Sequence, residues 1–220
     1  MNIKEFLTKL FFLLALTPAL YSQSDTLTRQ DKPKAIAFEQ IRSLKQGALI
    51  IRLKTRQNNI DAYRNAGLDD IADRIEKEQR TENLYMVRAF KNFYTFSEVY
   101  FMYIHGTDSF LNGAYSGLFL DSNLVIDPSL SFSDTNFLFL ERGPVKSKVM
   151  VDGRQMKEGF TYDPNSAISD ALVVKDRNGN QLFAPFPYYI AAPAKLDKYY
   201  VSVNKVNKKF TSFWNKATMY

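Results

Sequence analysis

The chain contains no cysteine and only one histidine, His105, in 220 residues. The missing cysteines exclude disulfides, thiolate nucleophiles, cysteine-ligated metals, iron–sulfur clusters and a lipid-modified lipobox residue. The solitary histidine excludes a multi-histidine metal centre within one chain, so no metal site and no cofactor is expected. Glycine is scarce, with nine residues, and none falls in Arg52-Leu53-Lys54-Thr55-Arg56-Gln57, the turn after the first apolar run. A phosphate-cradling loop or a dinucleotide fingerprint needs glycine at that turn, so both readings fail. No Gly-x-Ser-x-Gly elbow is present to hold a serine nucleophile. Long runs of one charge are also missing. The net charge is +6 without a lysine or arginine stripe, and a leader carrying Lys4, Glu5 and Lys9 would lower it by one. That distribution argues against nucleic acid and leaves peripheral contact with an anionic envelope surface as the electrostatic option.

What is present is a globular composition, 45% hydrophobic and 24% charged, with 18 Phe and 13 Tyr. Two continuous apolar runs, Ala48–Leu53 and Val99–Ile104, read as strands covered on both faces. About forty residues of helical pattern separate them, as a crossover between parallel strands requires. Ahead of the first strand, Phe38, Ile41 and Leu44 form one helix face that ends at Gly47. The crossover breaks at Gly67, and its polar stretch Glu76–Asn83 reads as a solvated helix surface or a short interruption.

Beyond His105-Gly106 the segments shorten. Gly117–Leu120 and Leu124–Ile126 flank a turn at Asp121-Ser122-Asn123, and Phe137–Leu140 is another buried run. Residues 144–170 read as a strand near Val149–Val151 plus a long surface connection. Ala171–Lys175 is a strand, and Asn178-Gly179 signals a hairpin returning through Gln181-Leu182-Phe183. Val203, Val206, Phe210, Phe213 and Trp214 line one side of a terminal helix. The expected fold is α/β and three-layered: a mainly parallel sheet flanked by helices, with a C-terminal β-hairpin and terminal helix.

Residues 1–22 have the form of a Sec-type signal peptide, with Lys4 and Lys9 before an apolar Leu10–Leu20 core too short to span a bilayer. Residues 23–34 read as a flexible arm and 35–220 as a single α/β domain without a transmembrane helix. The expected location is the periplasm or the exterior of a bacterial cell.

Ligands of open α/β sheets gather at the carboxyl ends of the strands. That rule collects Lys54 and Arg56 after the first strand, His105 and Asp108 after the second, and Glu141 with Arg142 after the run at Phe137. His105, Asp108 and Glu141 would serve a hydrolase or transferase as acid–base groups, with Lys54, Arg56 and Arg142 holding an anionic substrate. Asp69, Asp70 and Asp73 at a helix start are better read as solvated, dipole-favoured placements. Asp121 and Asp127 read as turn residues. Phe186 and Tyr188, within Pro185-Phe186-Pro187-Tyr188-Tyr189, form either a partner-binding lip or an edge segment whose rings fill the core. With so few routes to catalysis, the sequence favours a non-catalytic binding or interaction domain of the cell envelope, with an envelope protein as partner. The hydrolase or transferase is the alternative. A carrier gripping a hydrophobic ligand among the aromatics is a third reading.

Overall fold

In the computed structural model, residues 31–146, 150–151, 154–155 and 168–220 are described. Residues 1–22, read as a signal peptide, most of residues 23–34, read as an arm, and most of residues 144–170 therefore lie outside the described residues. The chain divides into two compact units, residues 1–35 and 36–220. Helix α1 (Asp31–Gln46) crosses that boundary, and everything below concerns the second unit.

Five strands form one mixed sheet in the order β2-β1-β3-β4-β5: β1 (Ala48–Leu53), β2 (Glu98–Tyr103), β3 (Phe137–Gly143), β4 (Ala171–Lys175) and β5 (Tyr189–Ala191). Strands β2 and β3 both run parallel to β1, whereas β4 is antiparallel to β3 and β5 to β4. The sheet is thus partly parallel, not mainly so, because two of its four pairings are antiparallel. A two-residue ribbon pairs Met150–Val151 with Arg154–Gln155. It falls where a strand near Val149–Val151 was expected, although residue 149 is itself outside the description.

The crossover from β1 to β2 contains α2 (Gln57–Asn65) and α3 (Asp69–Phe93), joined through Gly67 at φ 71°. A left-handed φ carries no steric cost for glycine, which fits the observed break. Helix α3 is continuous for 25 residues and passes straight through Glu76–Asn83. Its polar stretch is not all solvated: Gln79 and Asn83 are buried, with Gln79 Nε2 donating to Asn83 Oδ1 at 3.1 Å. Asn83 Nδ2 in turn donates to the Lys54 carbonyl at 2.8 Å, fixing the helix to the end of β1.

Alternation along the strands divides the core. Leu49, Ile51, Leu53, Leu138, Leu140, Leu172 and Val174 face one side, where α1, α3 and α5 (Tyr199–Thr218) supply Ile41, Leu44, Val87, Phe90, Val206 and Phe210. Ala48, Ile50, Met102, Phe137 and Phe139 face the other side. There the cover is the five-residue α4 (Thr107–Leu111) and the loop after it, through Phe110, Phe119 and Phe132. Helices therefore dominate one face, and the second face is covered by aromatic loop residues instead of a helical layer. Strand β1 is buried along its whole length, as its continuous apolar run predicts. Strand β2 lies at the sheet edge with its first three residues partly or fully exposed. Farther along, Phe119 bridges Met102, and the Leu120 amide donates to the Phe101 carbonyl at 2.9 Å.

The hairpin after β4 uses a three-residue loop. The Gly179 amide donates to the Asp176 carbonyl at 3.0 Å and the Asp176 amide to the Asn180 carbonyl at 2.8 Å, with Gly179 at φ 80°. This is a type I turn closed by a left-handed glycine. The return through Gln181-Leu182-Phe183 is limited to a single bridge, Lys175 with Gln181, and the next strand forms at Tyr189–Ala191. Among the described residues no helix is long and apolar enough to cross a membrane.

Candidate functional site

Strands β1 and β3 are parallel neighbours with Arg52 opposite Glu141, so the two side chains emerge on the same, helix-poor face. On β4, Lys175 is opposite Phe139 and shares that face. Arg52 Nη2 donates to Glu141 Oε2 at 2.6 Å, and Lys175 Nζ lies 2.5 Å from Glu141 Oε1. Arg52 and Glu141 are 6% and 8% exposed, so this trio is a buried charge cluster and not a surface ion pair. The guanidinium stacks over Phe139, 4.5 Å from the ring centroid, and its Nε has no hydrogen-bond partner. Gly179 passes over it so closely that a Cβ built there would be 3.7 Å from Nη1. Lys54 belongs to the same rim: a Cβ built on Gly143 would lie 3.4 Å from its Nζ. The Lys54 side chain is exposed and makes no hydrogen bond or ion pair among the described residues.

One residue along β3 the side chain points to the opposite, helix-covered face, where Arg142 joins three elements. It binds Asp170 with both Nε, at 2.7 Å, and Nη2, at 2.5 Å, while Nη1 donates to Glu82 at 2.8 Å and to the Tyr199 hydroxyl at 2.9 Å. Hydrogen bonding to Asp170 raises the guanidinium further above its already high value, against the opposing effect of burial. Burial raises the Tyr199 hydroxyl well above its ordinary range, so it stays protonated while it accepts from Arg142. Arg56, left-handed at φ 54°, precedes α2 with a guanidinium 3.9 Å from Glu82. Two cations and two carboxylates balance on this side, and every Arg142 nitrogen has an acceptor. The arrangement is that of a clasp between β3, α3 and the start of α5.

Four residues expected at the strand ends, Lys54, Arg56, Glu141 and Arg142, thus surround the ends of β1 and β3, but the sheet divides them into two clusters. His105 and Asp108 lie past the end of β2, both exposed, His105 in a single 3-10 turn (Ile104–Gly106) and Asp108 in α4. The His105 ring stacks on Tyr103 with centroids 5.5 Å apart, and no hydrogen bond or ion pair joins it to Asp108 or Glu141. Phe186 is 2% exposed and its ring meets Phe210 and Phe213 edge-on, so it is part of the core. Tyr188 is partly exposed, against Phe183 and Tyr189. Among the described residues no group of three or more acidic or histidine side chains is placed to hold a metal ion.

Arg52 and Lys175 were missed as site residues because the first lies within an apolar run and the second ends one, so both read simply as strand residues. The available signal was parity: Arg52 has the same strand face as Ile50 and Lys54, and Glu141 the same face as Phe139. No known family model, curated protein or solved structure matches this chain.

Proposed function

We propose that the chain is an exported protein of a bacterial cell envelope that works by binding, without catalysing a reaction, and that its ligand-facing surface is the rim where β1 and β3 end. The observation that carries this reading is the condition of Glu141, whose two carboxylate oxygens are each held by a cation, Arg52 and Lys175. Both oxygens of that carboxylate are already engaged, whereas the exposed Lys54 ammonium, which has no partner among the described residues, is disposed to hold a ligand. Export is supported by Lys4 and Lys9 ahead of the apolar Leu10–Leu20 stretch.

The test is recovery of tagged protein from its own cells in gentle detergent, with the bound material identified and the N-terminus sequenced. The expected result is a mature chain lacking residues 1–22 and a stoichiometric ligand or protein that is kept by His105→Ala and lost with Lys54→Glu. A chain that carries nothing, together with a turnover abolished in His105→Ala, would overturn the binding reading in favour of a hydrolase or transferase.

A further inference from the structure

Charge accounting at the sheet's carboxyl rim gives different answers on its two faces. Under the helices, Arg56 and Arg142 are matched by Glu82 and Asp170. On the helix-poor face, Arg52 and Lys175 share Glu141 as their one ion-pair partner among the described residues, and Lys54 has none. Taking an arginine out of water without full compensation is costly, and the cost is relieved by an added anion. Two features leave cationic donors unused on this face. Arg52 is buried, yet among the described residues its Nε–H has no acceptor and Lys54, over Gly143, has no partner. The carboxylate of Asp176, next in the chain to Lys175, is turned to its own loop, where Oδ1 accepts the Asn178 and Asn180 amides at 2.9 Å each, and it forms no ion pair with these cations among the described residues.

We infer that Arg52, Lys54 and Lys175 form a binding site for an oxyanion, a carboxylate or phosphoryl group, which enters beside Lys54 and completes the charge balance of the helix-poor face. This rests on the binding reading above and names the chemistry of the ligand. Arginine suits the buried position because its planar fork meets an oxyanion with more than one N–H while still holding Glu141. Lys54 supplies the exposed point charge that captures the anion first, and Lys175 fixes Glu141 so that the carboxylate does not repel it.

The experiment is a titration of full-length mature protein, labelled with nitrogen-15, with inorganic phosphate and separately with acetate at constant ionic strength. The Arg52 Nε–H and the Gly143 and Gly179 amides are the reporters. A saturable shift at these three groups with either anion supports the site, and phosphate against acetate identifies the preferred group. Lys54→Gln, an exposed change that leaves the fold intact, is expected to weaken saturation about tenfold, as loss of one charge-assisted contact implies. Lys205→Gln on the solvent side of α5 should leave it unchanged. Shifts that rise linearly without saturating, or that are the same in Lys54→Gln, would overturn the proposal as an adventitious ion only. A stoichiometric partner recovered in the pull-down with no anion response would remove this inference and leave the binding reading in place.

Discussion

Glu141 is the residue on which the helix-poor face depends, because its two oxygens hold Arg52 and Lys175. Glu141→Gln keeps the shape but leaves two buried or half-buried cations without a counter-charge, and should destabilise the fold by about 3 kcal/mol. Urea unfolding is expected to show a lower midpoint with unchanged slope. The acidic turn at Asp121 makes a different point. Its carboxylate accepts the Val125 amide at 2.9 Å and the Asn123 amide at 2.8 Å, which hold it below the usual carboxylate range. Asp127 is lowered too, first by the Ser129 hydroxyl and then by the Ser129 amide. A depressed folded-state value gives stability that is present above the unfolded value, about pH 4, and lost as pH falls through the folded value. Amide-exchange protection at Asn123 and Val125 is therefore expected to fall on acidification below about pH 4, and Asp121→Ala should remove that pH dependence.

At the scale of elements, the joins are set by backbone geometry. Gly47 links α1 to β1 where a Cβ would sit 1.7 Å from the Asn136 carbonyl oxygen, the same oxygen that accepts the Ala48 amide at 3.0 Å. Gly47→Ala must push β1 away from the lead-in to β3 and should cost about 3 kcal/mol, read as a fall in melting temperature. Arg56, by contrast, holds a left-handed conformation that glycine adopts freely. Arg56→Gly is expected to raise stability by about 1 kcal/mol, since its one ion pair among the described residues is half-exposed and long. Helix α3 shows why element boundaries were harder to read than elements. Glu76–Asn83 has the composition of a break, but Gln79 and Asn83 are buried and hydrogen-bonded, so tertiary contact overrides the local pattern.

For the molecule as a whole, the core closes where α5 packs over the sheet. Phe186 meets Phe210 and Phe213 there, while Tyr188, two residues on, is partly solvated. Phe186→Ala should lower unfolding free energy by about 3–4 kcal/mol, and Tyr188→Ala by about 1 kcal/mol. Trp214, packed at the margin of the same core, gives the fluorescence signal for both measurements. If the two changes cost the same, the segment is not anchored through Phe186.

Local pattern determined the runs that become β1, β3 and β4, the helical crossover, the turn glycine at 179 and the apolar face of α5, because periodicity and turn chemistry are properties of neighbouring residues. It also brought Lys54, Arg56, Glu141 and Arg142 to the ends of strands. An antiparallel hairpin at the C-terminal end was also legible, but only the tertiary structure decided that β4 pairs with β3 and with Tyr189–Ala191 rather than with Gln181–Phe183, that β2 is an edge, and that one face of the sheet carries three helices while the other carries the short α4 and aromatic loop residues. Those outcomes depend on pairings between segments far apart in the chain, for which no local pattern carries a register. The same holds for the site: adjacent residues Glu141 and Arg142 look like one charged pair in the sequence, and the pleat sends them to opposite faces, one into the unbalanced cationic cluster and the other into a closed clasp.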